Sequence, residues 1–101
     1  MQKLWIDDLR DPPDNGWVVA VTSEEAIDFI RDYGLPDLIS FDHDLGGEDT
    51  AMRVVHFIVE SYLDGKLEVP DGFLFRVHSA NVVGAENIRS LMTNFLEMTH
   101  K

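Results

Sequence analysis

Short apolar runs alternate along this chain with longer segments in which apolar residues recur at helical spacing. The apolar runs have the length of buried strands, and they fall at residues 3–6, 17–21, 38–41 and 73–77. The longer segments place apolar residues three and four positions apart, as amphipathic helices do. They lie between Thr22 and Gly34, at about 50–63 and at about 84–98. This alternation predicts an α/β fold with three helices and a mainly parallel, four-stranded sheet.

The first two strands are joined by a segment without a helical pattern. Residues 7–16 contain Pro12-Pro13 and Asn15-Gly16, which are turn formers. Ten extended residues reach about 33 Å, enough to return past a strand of about 17 Å and begin a parallel neighbour. We therefore expect an open sheet with strand order 2-1-3-4. An antiparallel second strand is the alternative.

The two faces of this sheet differ in polarity. Right-handed crossovers place the helices that precede the third and fourth strands on one face. The strand positions on one face are apolar, whereas Lys3, Ser40 and Arg76 fall on the other. The less apolar face has no helix next to it in the sequence. We expect the last helix, or a second copy of the chain in a homodimer, to cover it.

Polar residues follow three of the strands at their carboxyl ends. The three tetrads are Asp7-Asp8-Leu9-Arg10, Asp42-His43-Asp44-Leu45 and His78-Ser79-Ala80-Asn81. Ligands of open parallel sheets bind beyond these strand ends, at the point where the strand order reverses. For order 2-1-3-4 that point lies between the first and third strands. Asp7, Asp8 and Asp42 would flank it.

The negative charge of such a carboxylate cluster must be compensated. Two carboxylates about 5 Å apart repel by about 3 kcal/mol at an effective dielectric constant of about 20. The cluster therefore requires protonation, separation or a cation. Oxygen-rich ligation without cysteine suits Mg²⁺, or Mn²⁺ where His43 or His78 joins.

The same residues also have ordinary structural interpretations. An aspartate pair after a strand is often only a turn, and Ser79 or Asn81 is suited to cap the last helix. Arg10 is the cation best placed to meet a phosphate. His56 lies in the apolar stripe of the second helix and is expected at the core or its boundary, while His100 is expected to be terminal and solvated.

The composition narrows the function further. A chain of 101 residues with 45% apolar residues predicts one domain over residues 1–101. With no cysteine, no signal peptide pattern and no long apolar span, we expect a cytoplasmic protein without disulfides. The 19 acidic and 8 basic residues give a net charge of −11, which argues against extended binding to DNA or to a membrane. A single phosphate bound locally is compatible with this charge.

Three segments carry a resemblance to a known family: residues 4–10 with Pro12-Pro13, residues 39–46, and residues 77–81 with Gly84. Together they resemble the cyclic-phosphate-processing receiver-like domains, which look like diverged relatives of the response-regulator receiver fold. The resemblance covers nearly the whole chain. It implies a compact flavodoxin-like domain that lacks the fifth strand and a regular first helix.

The resemblance also implies roles for the acidic residues. Asp7 and Asp8 correspond to the receiver's metal-binding pair, and Asp42 corresponds to its phospho-acceptor aspartate. Asp44 would complete the metal shell through its backbone carbonyl, and Ser79 takes the place of the hydroxyl after the fourth strand. The lysine with which receivers contact the phosphoryl group has no counterpart here, which argues against ordinary phosphorelay signalling.

His43 and His78 have no counterpart in receivers, and the resemblance links them to the processing of cyclic phosphates. We therefore expect a metal-dependent hydrolase that opens a cyclic phosphate in a small molecule or at an RNA end. The two imidazoles would act as general base and general acid. The remaining residues of the expected site are catalytic Asp42 and Ser79, and phosphate-binding Arg10, Asn81 and Gly84.

Two other functions remain open from the sequence. The first is a non-catalytic receiver-like signalling or binding module, in which Asp42 is phosphorylated or mimics the phosphorylated state. The second is an interaction protein whose acidic cluster is a negative surface for a basic partner.

Overall fold

Residues 1–99 are described by a computed structural model in which strands and helices alternate in the predicted order. The strands are β1 (Lys3–Ile6), β2 (Val18–Ala20), β3 (Leu38–Phe41) and β4 (Leu74–Val77). The helices are α1 (Ser23–Tyr33), α2 (Met52–Leu63) and α3 (Val82–Thr99). Within residues 1–99, no helix combines the length and the apolar character needed to cross a membrane.

The sheet has the predicted topology. Its strand order is β2-β1-β3-β4 and every neighbouring pair is parallel, so the alternative of an antiparallel second strand is wrong. The segment between β1 and β2 contains no helix, and it reaches the start of a parallel neighbour as extended and turn residues. The order places β1 and β3 side by side at the centre of the sheet.

One face of the sheet carries the main core. Leu4 and Ile6 of β1 and Ile39 and Phe41 of β3 are all 0% exposed and join one apolar cluster with residues of all three helices. Helix α2 packs against both α1 and α3, and α3 also packs against β4. The expectation that the last helix covers the other face is therefore wrong. The apolar stripe of α3 packs beside α2 instead, where it extends the same core.

The second face is covered in part by the segment that joins β1 to β2. Trp17 from this segment packs edge-on against Trp5 of β1, with ring centroids 5.4 Å apart. The Trp5 indole N–H donates to the carbonyl of Arg10 in the same segment at 2.9 Å. Trp5 is consequently 9% exposed, whereas Leu74 on edge strand β4 remains 59% exposed.

The sequence also predicted positions for two histidines away from the strand ends, His56 and His100. His56 is exposed, so its expected place at the core or its boundary is wrong. At about 100° per residue, His56 points away from the buried side of α2, which is formed by Val54, Val55 and Ile58. His100 lies outside the described residues.

The core assignment predicts unequal costs for two leucine truncations in the sheet. Leu4→Ala removes a fully buried side chain and should lower the free energy of unfolding by about 2–5 kcal/mol. Leu74→Ala, the matched control in β4, should change it by less than about 0.5 kcal/mol. Urea denaturation followed by circular dichroism measures both values. Equal losses would contradict the placement of the core on the helix-bearing face.

Candidate functional site

The three polar tetrads converge at one end of the sheet. Ile6, Phe41 and Val77 are aligned in the register of β1, β3 and β4, so the residues that follow them leave the sheet at the same level. They border a cleft of about 320 Å³. Its lining consists of Asp8, Leu9, Arg10, Asp42, Asp44, Gly46, Ser79, Ala80 and Asn81.

Asp7 lies beneath the cleft as a buried carboxylate. It is 1% exposed. Its Oδ1 accepts the backbone N–H groups of Leu9 at 2.9 Å and Arg10 at 3.1 Å, and its Oδ2 lies 3.0 Å from Nε2 of His78. Burial raises the pKa of Asp7, but these hydrogen bonds outweigh it and hold the pKa below its usual value. Asp7 is therefore ionised at neutral pH.

Asp8 and Asp42 complete an acidic cluster with Asp7. One carboxylate oxygen from each of the three residues lies within 4.8 Å of the other two. Burial and the neighbouring charge of Asp7 raise the pKa of Asp42, while the hydroxyl of Ser79 opposes this shift. The pKa values of Asp7 and Asp42 are thus shifted in opposite directions, because burial is outweighed by hydrogen bonds at Asp7 and dominates at Asp42.

Asp8 supplies the clearest sign that the cluster fits a cation. Its Oδ1 is buried and has no hydrogen-bond partner within residues 1–99. A buried acceptor without a partner costs about 1–3 kcal/mol, and more when it is charged. Divalent cations such as Mg²⁺ and Mn²⁺ bind carboxylate oxygens. The donor set of Asp7, Asp8 and Asp42 could therefore hold such an ion.

His78 is held on three sides. Its Nε2 faces Asp7, and its Nδ1 lies 2.7 Å from the hydroxyl of Ser40. Its ring stacks on Trp5 with centroids 3.9 Å apart and an interplanar angle of 6°. Burial lowers the pKa of His78, and the nearby carboxylates of Asp7 and Asp42 only partly offset this. Both ring nitrogens are engaged, and His78 does not line the cleft.

His43 is held on one side only. Its Nδ1 lies 2.9 Å from Oδ1 of Asp44, and the side-chain amide of Asn81 donates to Oδ2 of Asp44 at 3.2 Å. These contacts hold the pKa of Asp44 below its usual value. The structure gives Nε2 of His43 no hydrogen-bond partner in residues 1–99, and this atom is not buried. His43 therefore keeps one ring nitrogen for a ligand.

The carboxylate of Asp44 is turned away from the acidic cluster. It binds His43 and Asn81, and the three clustered carboxylates do not include it. The expected metal contact of Asp44 involves its backbone carbonyl and stays a prediction.

Asn81 and Gly84 have structural roles at the start of α3. Asn81 caps the helix, because its side-chain carbonyl accepts the backbone N–H of Gly84 at 2.9 Å. Gly84 is expected from the sequence to bind phosphate, and in the structure its backbone N–H is occupied by the cap. A Cβ at Gly84 would lie only 2.3 Å from Cγ of His43. Glycine at this position leaves room for the His43 ring.

Arg10 and Ser79 both lie at the cleft. The guanidinium of Arg10 donates to the carbonyl of His78 at 2.6 Å, and the residue is exposed. The hydroxyl of Ser79 accepts the backbone N–H of Asn81 at 3.1 Å. Both side chains border the same cleft as Asp8 and Asp42.

The structure divides the predicted site residues into two groups and adds two more residues. The cleft lining includes Asp8, Arg10, Asp42, Asp44, Ser79 and Asn81, while Asp7, His43, His78 and Gly84 lie beneath or beside it. Ser40 and Trp5, which contact His78, were not predicted as site residues. The sequence could have indicated Ser40, because a serine inside a buried apolar strand needs a hydrogen-bond partner. Nothing in the sequence indicated Trp5.

Comparison with known proteins identifies one family. A family model described as the cyclic-phosphate processing receiver domain matches residues 2–94. No curated protein and no solved structure matches the chain. The matched range contains all three strand-end tetrads and the glycine that contacts His43.

The contact between Gly84 and His43 predicts an unusual sign for a glycine substitution. Alanine normally stabilises a helix interior by about 0.5–1 kcal/mol relative to glycine. Gly84→Ala should instead lower the free energy of unfolding by about 1–3 kcal/mol, because the new Cβ displaces the imidazole. In a His43→Ala background the same substitution should be neutral or stabilising. Urea denaturation of the four proteins in this cycle measures the coupling, and an equal effect in both backgrounds would refute it.

Proposed function

Since the chain belongs to the cyclic-phosphate processing receiver family, we propose that its cleft binds a divalent cation and hydrolyses a cyclic phosphate ester. The observation that carries this proposal is the acidic cluster at the cleft. Three carboxylate oxygens lie within 4.8 Å of one another, and one buried oxygen of Asp8 has no partner in residues 1–99. A cation would satisfy that oxygen and reduce the repulsion among the three charges.

Mg²⁺ or Mn²⁺ is the cation that this donor set favours. Asp8 would contribute its unpartnered Oδ1, Asp42 a carboxylate oxygen, and Asp7 its Oδ2, since Oδ1 of Asp7 already accepts two backbone N–H groups. A bound divalent cation would supply positive charge next to the phosphate and stabilise the negative charge that develops during hydrolysis.

The cleft also suits the charge and size of the proposed substrate. Arg10 provides a guanidinium at its border, in a protein whose net charge of −11 otherwise repels phosphate. A volume of about 320 Å³ is at the small end of ligand sites. These features favour a small phosphate ester or the terminal nucleotide of an RNA as the substrate, rather than an extended nucleic acid.

His43 is the residue that we assign as general base. In the neutral ring of His43, the ionised Asp44 carboxylate accepts the Nδ1 hydrogen, and the lone pair is then on Nε2. In the proposed reaction Nε2 takes a proton from a water molecule, and the water oxygen forms a bond to phosphorus. One ring P–O bond breaks, and the departing oxygen takes a proton from a second water molecule in the open cleft. The hydroxide that this leaves takes the proton back from Nε2 of His43, which restores the neutral ring. The product is a phosphate monoester.

Cation binding can be tested with one isosteric substitution. Asp8→Asn should weaken Mn²⁺ binding by at least about tenfold, because it removes the charge on the buried oxygen. In metal-free buffer it should raise the thermal unfolding temperature, since one of three clustered charges is lost. The control Asp11→Asn changes an exposed carboxylate outside the cluster and should do neither. Isothermal titration calorimetry and thermal unfolding give both values; unchanged Mn²⁺ affinity in Asp8→Asn would exclude this site.

Hydrolysis can be tested with a nucleoside 2′,3′-cyclic phosphate in the presence of Mn²⁺. The protein should release the monoester, and His43→Ala should lower kcat by about 10²–10⁴-fold. The control His56→Ala removes an exposed histidine on α2 and should keep full activity. Absence of product from the unaltered protein would refute the proposal.

A non-catalytic receiver-like module is the second candidate function. Asp42 favours it, because this carboxylate lies at the cleft beside Ser79, as the acceptor of a receiver would. Incubation with acetyl phosphate and Mg²⁺, followed by intact mass measurement, separates the two functions. An acid-labile adduct that is lost in Asp42→Asn would favour the module over the hydrolase.

A further inference from the structure

We infer that His78 is a positioning residue which, clamped by Ser40 and Trp5, fixes the carboxylate of Asp7 for cation binding and does not exchange protons with the substrate. The role of His78 in cation binding depends on the proposed function. The arrangement itself rests on contacts among residues of β1, β3 and the end of β4.

The hydrogen bonds of His78 have a fixed direction at Asp7. An ionised carboxylate only accepts hydrogen bonds, so Nε2 of His78 must carry the hydrogen that it shares with Oδ2 of Asp7 at 3.0 Å. At the other nitrogen, the hydroxyl of Ser40 lies 2.7 Å from Nδ1. A hydroxyl donates to a neutral imidazole and accepts from a charged one. The contact with Asp7 is therefore the same in either state of the ring.

Packing and backbone contacts fix the position of this ring. Ser40 is 2% exposed at the centre of β3, and Trp5 covers the flat side of the imidazole at 3.9 Å. The indole of Trp5 is itself anchored on the carbonyl of Arg10. The backbone N–H of His78 donates to Phe41 at 2.9 Å, and the carbonyl of His78 accepts the Arg10 guanidinium. Rotation of the ring or displacement of the His78 backbone would break at least one of these contacts.

The clamp determines what Asp7 can offer a cation. Each carboxylate oxygen has about two lone-pair directions. Oδ1 uses both on the N–H groups of Leu9 and Arg10, and Oδ2 uses one on His78. A single direction on Oδ2 remains. His78 thus leaves one lone pair on Oδ2 of Asp7 for a cation that Asp8 and Asp42 would also bind.

The same contacts leave His78 without a free nitrogen for proton transfer. A general acid or base must lie within hydrogen-bond reach of the proton it moves. The side chain of His78 is 17% exposed, both ring nitrogens bind protein groups, and the residue is not part of the cleft lining. The side chain of His43 is 13% exposed and does not line the cleft either, but its Nε2 has no hydrogen-bond partner in residues 1–99, and this is the point on which the two histidines differ.

Two substitutions of His78 separate positioning from proton transfer. The amide nitrogen of a glutamine reaches the place of Nε2 and still donates to Asp7, whereas the amide of an asparagine reaches only the place of Nδ1. Neither amide exchanges protons as an imidazole does. His78→Asn should weaken Mn²⁺ binding by about 10–100-fold, while His78→Gln should bind Mn²⁺ within about threefold of the unaltered protein. His78→Gln should also keep kcat for the cyclic nucleotide at saturating Mn²⁺.

The result that would overturn the inference is equally specific. If His78→Gln binds Mn²⁺ normally but loses about 10²–10⁴-fold in kcat, His78 is a proton-transfer residue. If the glutamine and asparagine variants lose Mn²⁺ affinity equally, donation to Asp7 is not what the residue contributes.

A nuclear magnetic resonance experiment tests the clamp without reference to metal or activity. Long-range ¹H–¹⁵N correlation spectra should show one hydrogen on Nε2 of His78 and a single, slowly exchanging ring environment. Ser40→Ala should broaden or split these signals, and the control Ser90→Ala, at an exposed position on α3, should not. A hydrogen only on Nδ1 would overturn the inference. Absence of Mn²⁺ binding by a protein that shows the expected spectra would instead refute the proposed function alone.

Discussion

The burial of one ionised carboxylate, that of Asp7, is the constraint on which this end of the molecule depends. Asp7 follows a central strand and is 1% exposed, and removing a charge from water is costly unless several donors replace the solvent. Three groups contact it: the backbone N–H groups of Leu9 and Arg10 in the following turn, and the imidazole of His78 at the end of β4. The turn after β1 and the loop after β4 therefore adopt one arrangement together.

The absence of a helix between β1 and β2 has a consequence for the same site. A helix there would cover the second face of the sheet, and in this protein Trp17 and Trp5 take over part of that role. Trp5 also stacks on His78 and binds the carbonyl of Arg10. The side chain that fills the second face thus also fixes the site, so core packing and site geometry are coupled through one indole ring.

The sequence predicted the topology well and the partners of individual side chains poorly, for physical reasons. Strands β1 and β3 are short apolar runs that end in polar tetrads, and their bounds were predicted to the residue. The position of the cleft could be predicted from these strands, because the carboxyl ends of parallel strands lie at the same end of the sheet. In contrast, His56 was misplaced because a 12-residue helix has several apolar positions, and which of them face the core depends on its rotation about its own axis. The bond between Ser40 and His78 joins residues 38 positions apart and depends on rotamers that strand patterning does not determine.

His43 and His78 show how environment separates two residues that the sequence treats alike. Each follows a strand at the same edge, and each contacts an aspartate. His78 also receives a buried hydroxyl on its other nitrogen and an indole against its ring, whereas His43 has only the glycine that makes room for it. A histidine with both nitrogens bound can orient a neighbour, and one with a free nitrogen can accept a proton or a ligand. In this site the division of roles follows from the number of contacts around each ring, because the residue type is the same for both.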